Sequence, residues 1–132
     1  MAIFDDFDLP DSPALALARA YLEAEDRQDF SGAAEFFAEN IHFNGLALKA
    51  DGRASVASQI EGFLKQAIES LQLEYVTEIE SGPVSRVLAL YDFKLKGGPP
   101  PQPLCDLITI EGGKITRIDN VFDLRKLPPV PA

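Results

Sequence analysis

The residues able to do chemistry are polar side chains set into otherwise apolar runs. Asp106 interrupts Leu104-Cys105-Asp106-Leu107-Ile108, and Asn120 interrupts Ile118-Asp119-Asn120-Val121-Phe122. Period two puts Leu104, Asp106, Ile108 and Ile110 on one strand face, and Ile118, Asn120 and Phe122 on one face of the next. An acid on an apolar face is costly unless it is paired, hydrogen-bonded or protonated. Held protonated, it can donate to an oxygen that gains charge during a reaction. Tyr21 adds a hydroxyl from an apolar helical stretch, and His42 and Asn44 alternate with apolar residues in Ile41-His42-Phe43-Asn44. An imidazole whose unperturbed pKa is near ~6.5 suits proton transfer. The catalytic candidates are therefore Tyr21, Asp106 and His42. The ligand-binding candidates are Asn44 and Asn120, with Tyr91, Phe93, Ile118, Phe122 and Phe63 as apolar contacts. Each has a plain structural alternative. Asp106 would cap backbone amides or pair with Arg86 or Arg117, Tyr21 would be core, Asn120 would satisfy a bulge, and His42 would sit at a strand edge.

Other chemistries lack their residues. One His and one Cys leave no Cys-rich zinc site and no pair of histidines on a helix, and there is no phosphate-cradling glycine loop. No metal and no cofactor is expected. Cys105 and His42 make a nucleophile pair only formally, since a lone Cys is commonly a small buried hydrophobe. Against 12 Lys+Arg stand 21 Asp+Glu, a net charge of −9. Such a chain repels phosphate backbones and anionic lipid, so neither nucleic acid nor a membrane is an expected partner. No apolar run approaches the ~18 residues of a membrane span. Acids stand at the N-terminus where a signal peptide needs bases, so the expected location is cytoplasmic.

The elements that must position these residues read in order. The 132 residues are about one domain's worth. Residues 1–11 form an acidic arm, 12–126 a single domain and 127–132 a Pro-rich tail. Ser12-Pro13 starts a helix through about residue 27, with Leu15, Ala18 and Leu22 on one stripe and Leu17, Ala20, Tyr21 and Ala24 beside it. Asp29 caps a second helix through about Glu39, whose apolar face is Ala33, Phe36 and Phe37. A short strand follows at 41–44, then an Asp51-Gly52 turn. Val56, Ile60, Phe63, Leu64, Ala67 and Ile68 mark an amphipathic helix over 53–70. Four strands complete the chain. In the first, Leu73, Tyr75, Thr77 and Ile79 share a face. In the second, Val87, Ala89, Tyr91 and Phe93 form an apolar row suited to a cavity or an interface. Gly97 to Pro101 makes a loop, and Gly112-Gly113 joins the last two strands as a hairpin. Tight turns between successive strands make an antiparallel sheet, so the class is α+β with helices on one face.

The order and spacing of these pieces resemble the nuclear transport factor 2-like superfamily over about residues 12–125, and within it the SnoaL-like and steroid delta-isomerase-like small proteins. The carriers are Ala18-Arg19-Ala20-Tyr21-Leu22-Glu23, Asp29-Phe30, Phe36-Phe37-Ala38-Glu39-Asn40, Gly52-Arg53, Cys105-Asp106-Leu107-Ile108, Glu111-Gly112-Gly113-Lys114-Ile115 and Phe122-Asp123. The resemblance implies a cone-shaped roll in which a curved sheet wraps the helices around an apolar cavity, a homodimer through the sheet, and a small apolar ligand or substrate. In the isomerases a Tyr and a protonated Asp hold the oxyanion, roles that fall on Tyr21 and Asp106. The catalytic base position falls on Asn44 or Gly45, and an amide does not accept a proton near neutral pH. In the limonene-epoxide-hydrolase-like branch, Asn44 and His42 match the Asn and Tyr that hold water, and the water-activating Asp position falls on Asn120. Two expectations follow: an isomerase, lyase or hydrolase working through Tyr21 and Asp106, or a non-catalytic binding or interaction module of the same fold.

Overall fold

The structure is a computed structural model describing residues 11–45 and 49–121. The acidic arm up to residue 10, Phe122 and the Pro-rich tail lie outside the described residues. Helix α1 spans Pro13–Asp26, α2 Phe30–Ala34 and α3 Arg53–Ala67. The strands are β1 Phe37–Asn44, β2 Lys49–Asp51, β3 Ile68–Glu80, β4 Val84–Leu95, β5 Gln102–Glu111 and β6 Lys114–Val121. They form one six-stranded sheet in the order β2-β1-β6-β5-β4-β3. This is the expected α+β class, a curved open sheet with the helices on its inner face.

Local chemistry sets most boundaries. The Ser12 hydroxyl accepts from the Leu15 amide at 3.1 Å and Pro13 opens α1, so the first free amides are answered at once. The same hydroxyl donates to Glu78 at 2.9 Å, tying the helix start to β3. Gly112 and Gly113 both have positive φ, 59° and 75°, as a two-residue hairpin with the native strand twist requires.

Two expectations are corrected. The second helix ends at Ala34 rather than near Glu39, and Phe37 already belongs to β1. Parallel pairing with β6 takes this segment: the Ile115 amide donates to Phe36 at 2.8 Å, and Phe37 lies opposite Ile115. Phe37, only 2% exposed, is core from a strand and stacks obliquely on Tyr21, ring centroids 5.5 Å apart. In β3 the inward face switches partway. A register shift between Leu73 and Tyr75 inserts one extra residue, so Val76 points inward, while Tyr75 and Ile79 are 58% and 52% exposed.

Cross-strand rows then define layers on the inner face. One row runs Val87, Ile108, Ile118, Phe43, Ala50, all buried, beneath Val56 and Ile60 of α3. This layer is solid core. The next runs Val76, Ala89, Asp106, Asn120. Beyond it lie Leu73, Tyr91 and Leu104, then Leu71 and Phe93. Ile108 sits within the solid row, fully buried. Ile108→Ala is expected to lower the unfolding free energy by about 2–5 kcal/mol in urea denaturation. A loss below about 1 kcal/mol would place the core elsewhere.

Candidate functional site

The cavity lies where the solid layer ends. It holds about 140 Å³, close to the volume of an engineered apolar cavity that takes up benzene. Its walls are Leu22 from α1, Phe43 from β1, Ile60, Phe63 and Leu64 from α3, and Ile68, Leu71, Leu73, Tyr91, Phe93 and Leu104 from β3, β4 and β5. The polar groups are few: Tyr21, Glu25 and Asp26 from α1, Asp106 from β5 and Asn120 from β6. A mostly apolar hollow with a few convergent polar groups is the usual form of a small-molecule site.

Asp106, 6% exposed, is the best-held of these groups. The Tyr91 hydroxyl donates to its Oδ2 at 2.8 Å, and Asn120, its partner across the strands, donates through Nδ2 to Oδ1. Burial pushes its pKa up to about 6, while the two donors pull it back by favouring the carboxylate. Asp106 is thus an acceptor between two donors, paired with neither Arg86 nor Arg117. Arg86 faces Glu80 at 3.8 Å and Arg117 binds Asp119 at 2.8 Å.

Glu25 is held differently. It is 8% exposed, and its Oε2 has no hydrogen-bond partner among the described residues. Burial pushes its pKa up to about 7. Hydrogen bonding from the Tyr21 hydroxyl, one turn earlier, opposes the rise, and the charges of Asp106 and Glu61 add to it. Tyr21 and Tyr91 are both raised well above the usual tyrosine value, first by burial and then by these neighbouring carboxylates, so both hydroxyls remain donors.

The sequence-derived candidates divide by strand parity. Tyr21, Asp106, Asn120, Tyr91, Phe93 and Phe63 all line the cavity. Ile118, 1% exposed, is in the solid layer below it. His42 and Asn44 are not among the lining residues. Ile41 and Phe43 point inward, so their neighbours point outward: His42 Nδ1 meets Asp51, and Asn44 Nδ2 donates to Asp119 at 3.2 Å. The expected catalytic role of His42 and ligand contact of Asn44 therefore have no support in this placement. Cys105 shares an outer row with Tyr75, Leu90 and Val121, apart from His42, and burial raises its thiol pKa. These two residues form no nucleophile pair. Among the described residues no cluster of three or more His, Cys, Asp or Glu is placed to hold a metal ion.

Sequence reasoning missed Glu25. The signal was in the helix: the buried stripe of α1 is Ala14, Ala18, Tyr21 and Glu25, spaced 4, 3 and 4. A charged residue at the end of a stripe of small and aromatic residues reads as the solvated end of the helix unless that spacing is counted.

A family model described as a SnoaL-like domain matches residues 18–118. No curated protein matches the chain. Several solved structures share the fold. A protein from Kribbella flavida DSM 17836 aligns with a TM-score of 0.71 and 24% identity, covering 86% of this chain and 88% of that one. An NTF2-like protein of unknown function from Burkholderia pseudomallei K96243 aligns at 0.72 and 19%, covering 86% and 92%. A candidate polyketide cyclase from Pseudomonas putida KT2440 aligns at 0.70 and 18%, covering 87% and 95%. At these identities the likeness is one of fold. Among the described residues no helix is long and apolar enough to cross a membrane.

A carboxyl whose folded-state pKa is raised binds more protons folded than unfolded between the two values. Stability then falls as pH rises through that window. For Glu25 the window runs from its ordinary 4.5 to about 7, worth on the order of 3 kcal/mol. Glu25→Gln removes this term. Thermal melts are expected to show the variant gaining stability over the wild type as pH rises from about 5 to about 8. Parallel profiles for the two proteins would mean that Glu25 is not desolvated.

Proposed function

The chain belongs to the SnoaL-like domain family, within the nuclear transport factor 2-like superfamily, and from that premise we propose that it binds a small, largely apolar molecule in its cavity. The ligand's polar end meets Glu25 and Asp106. The observation that carries this reading is the buried carboxyl of Glu25, which lines an apolar hollow and has one oxygen without a partner among the described residues. A buried acceptor without a donor is costly, and a ligand that donates to it offsets the cost. The volume of about 140 Å³ suits a ring-sized body.

The same groups speak against isomerisation through Tyr21 and Asp106. An oxyanion needs a protonated Asp that donates and a carboxylate base that accepts. Here both oxygens of Asp106 already accept hydrogen bonds, which favours its carboxylate, while Glu25, with an oxygen no donor reaches, is favoured as the acid. An enolate would form beside a carboxylate with no cation among the described lining residues. A second reading, acid–base chemistry of the lyase or hydrolase kind, is favoured by one observation: burial brings Glu25 to about 7, near the pH at which a proton donor is most useful.

Binding tests the main reading. Benzyl alcohol, followed by calorimetry, is expected to bind the wild type, and Leu104→Trp, which fills the hollow, is expected to weaken it at least about tenfold. Equal binding by a folded Leu104→Trp protein would mean that the cavity is not the site.

The outer face of the sheet supports the expected homodimer. Tyr75, Leu90, Cys105 and Val121 form an apolar row across four strands, with Leu88 and Leu107 in the next row. Tyr75 and Val121 are 58% and 55% exposed. Sedimentation is expected to give a dimer for the wild type and a monomer for Tyr75→Lys. A monomeric wild type would rule this interface out.

A further inference from the structure

The charges around the cavity do not balance. Glu25, Asp26 and Asp106 line it, and among the described residues no Lys, Arg or His does. From α3, Glu61 adds its field to Glu25, while Lys65 stands 3.6 Å from Glu61, outside the lining. Asp106 is answered by two donors, but Glu25 keeps an open oxygen in an apolar interior. When ionised, a carboxylate so placed lacks a counter-charge among the described lining residues. Aromatic rings complete the surroundings: Tyr21, Phe43, Phe63, Tyr91 and Phe93. Ring faces attract cations most strongly where water is excluded.

We infer that the ligand of this cavity is a protonated amine carried on a ring-sized apolar body, its N–H donating to the Glu25 carboxyl and its charge lying in the field of Asp106. This rests on the reading that the cavity binds a small apolar molecule and adds the sign of the ligand's charge. A cation gains a charge-assisted hydrogen bond and relieves the repulsion between two buried carboxyls. An anion meets three acids and, among the described lining residues, no base. A neutral ligand leaves Glu25 as the acid and gains an ordinary hydrogen bond. The chain's net charge of −9 draws cations toward the molecule from solution, an effect that salt screens.

Proton linkage gives the inference a distinct signature. The groups facing Glu25 are Tyr21 on its own helix, Asp106 on β5, Tyr91 on β4 and Glu61 on α3. The tyrosines stay neutral across the relevant range, so Glu25 and Asp106 carry the titration. A bound cation lowers the pKa of Glu25, so the complex holds fewer protons than the free protein. Binding therefore releases protons, tightens as pH rises from about 5 toward about 7, and levels off above that.

Calorimetry with benzylamine, benzyl alcohol and sodium benzoate tests this on the full chain, in buffers of different ionisation heat. Near pH 7 benzylamine is expected to bind about tenfold or more tighter than the alcohol, with proton release, and benzoate is expected not to bind. In Glu25→Gln the ratio of amine to alcohol affinity is expected to fall toward one, and in Glu25→Asp part of the preference is expected to remain. Alcohol binding at or above the level of the amine, or no proton release, overturns the inference while leaving the cavity reading intact. A full amine preference in Glu25→Gln also overturns it. If none of the three probes binds, the cavity reading falls and the inference falls with it. Should Glu25→Gln not fold, the affinity order and proton release of the wild type decide.

Discussion

The structure turns on the desolvation of two carboxyls by one apolar hollow. Asp106 and Glu25 approach from opposite layers, one on a strand floor and one on a helix above, and the protein treats them differently. Asp106 receives a Tyr91 hydroxyl and an Asn120 amide, so burial is largely answered by hydrogen bonds. Glu25 has an oxygen that no donor among the described residues reaches. The difference between them, a donor at each oxygen of Asp106 and one oxygen of Glu25 left without any, gives the cavity its direction. Charge and hydrogen-bond demand collect at the Glu25 end, and apolar surface makes up the rest.

The sheet makes this arrangement possible by stacking its inner face in rows. The row through Val87, Ile108, Ile118 and Phe43 is filled solid and fixes the strands' register. Its neighbour carries small Ala89 between Val76 and Asp106, and that row forms the polar floor. On the helical side, Ala18 and Ala24, essentially buried, let α1 approach closely enough to bring Tyr21 and Glu25 over that floor. Replacing one interior row with polar and small residues thus produces a site without altering the hydrogen-bonding ladder.

Much of this was legible in the chain, and the misses have definite causes. Strict alternation in 104–110 and 118–122 identified Asp106 and Asn120 as inward-facing, and the Ser12-Pro13 start and the Gly112-Gly113 turn were plain from local chemistry. Other features depend on contacts distant in sequence. Phe37 is a strand residue because β6 pairs with it, which no propensity of Phe36-Phe37 reveals. The outward turn of Tyr75 follows from one extra residue at a register shift. Alternation with Ile41 and Phe43 carries the outward direction of His42 and Asn44 as well, whatever chemistry an imidazole and an amide could do. Glu25 stayed hidden because an acid near a helix end normally faces solvent, and only its spacing from Ala18 and Tyr21 says otherwise.

The most direct test is a carbon-13 NMR titration of the side-chain carboxyls in the intact protein. A Glu25 midpoint close to neutrality, well above its ordinary 4.5, is the expected result. A midpoint at the ordinary value would show a solvated Glu25 and leave the cavity without the open acceptor on which its proposed ligand depends.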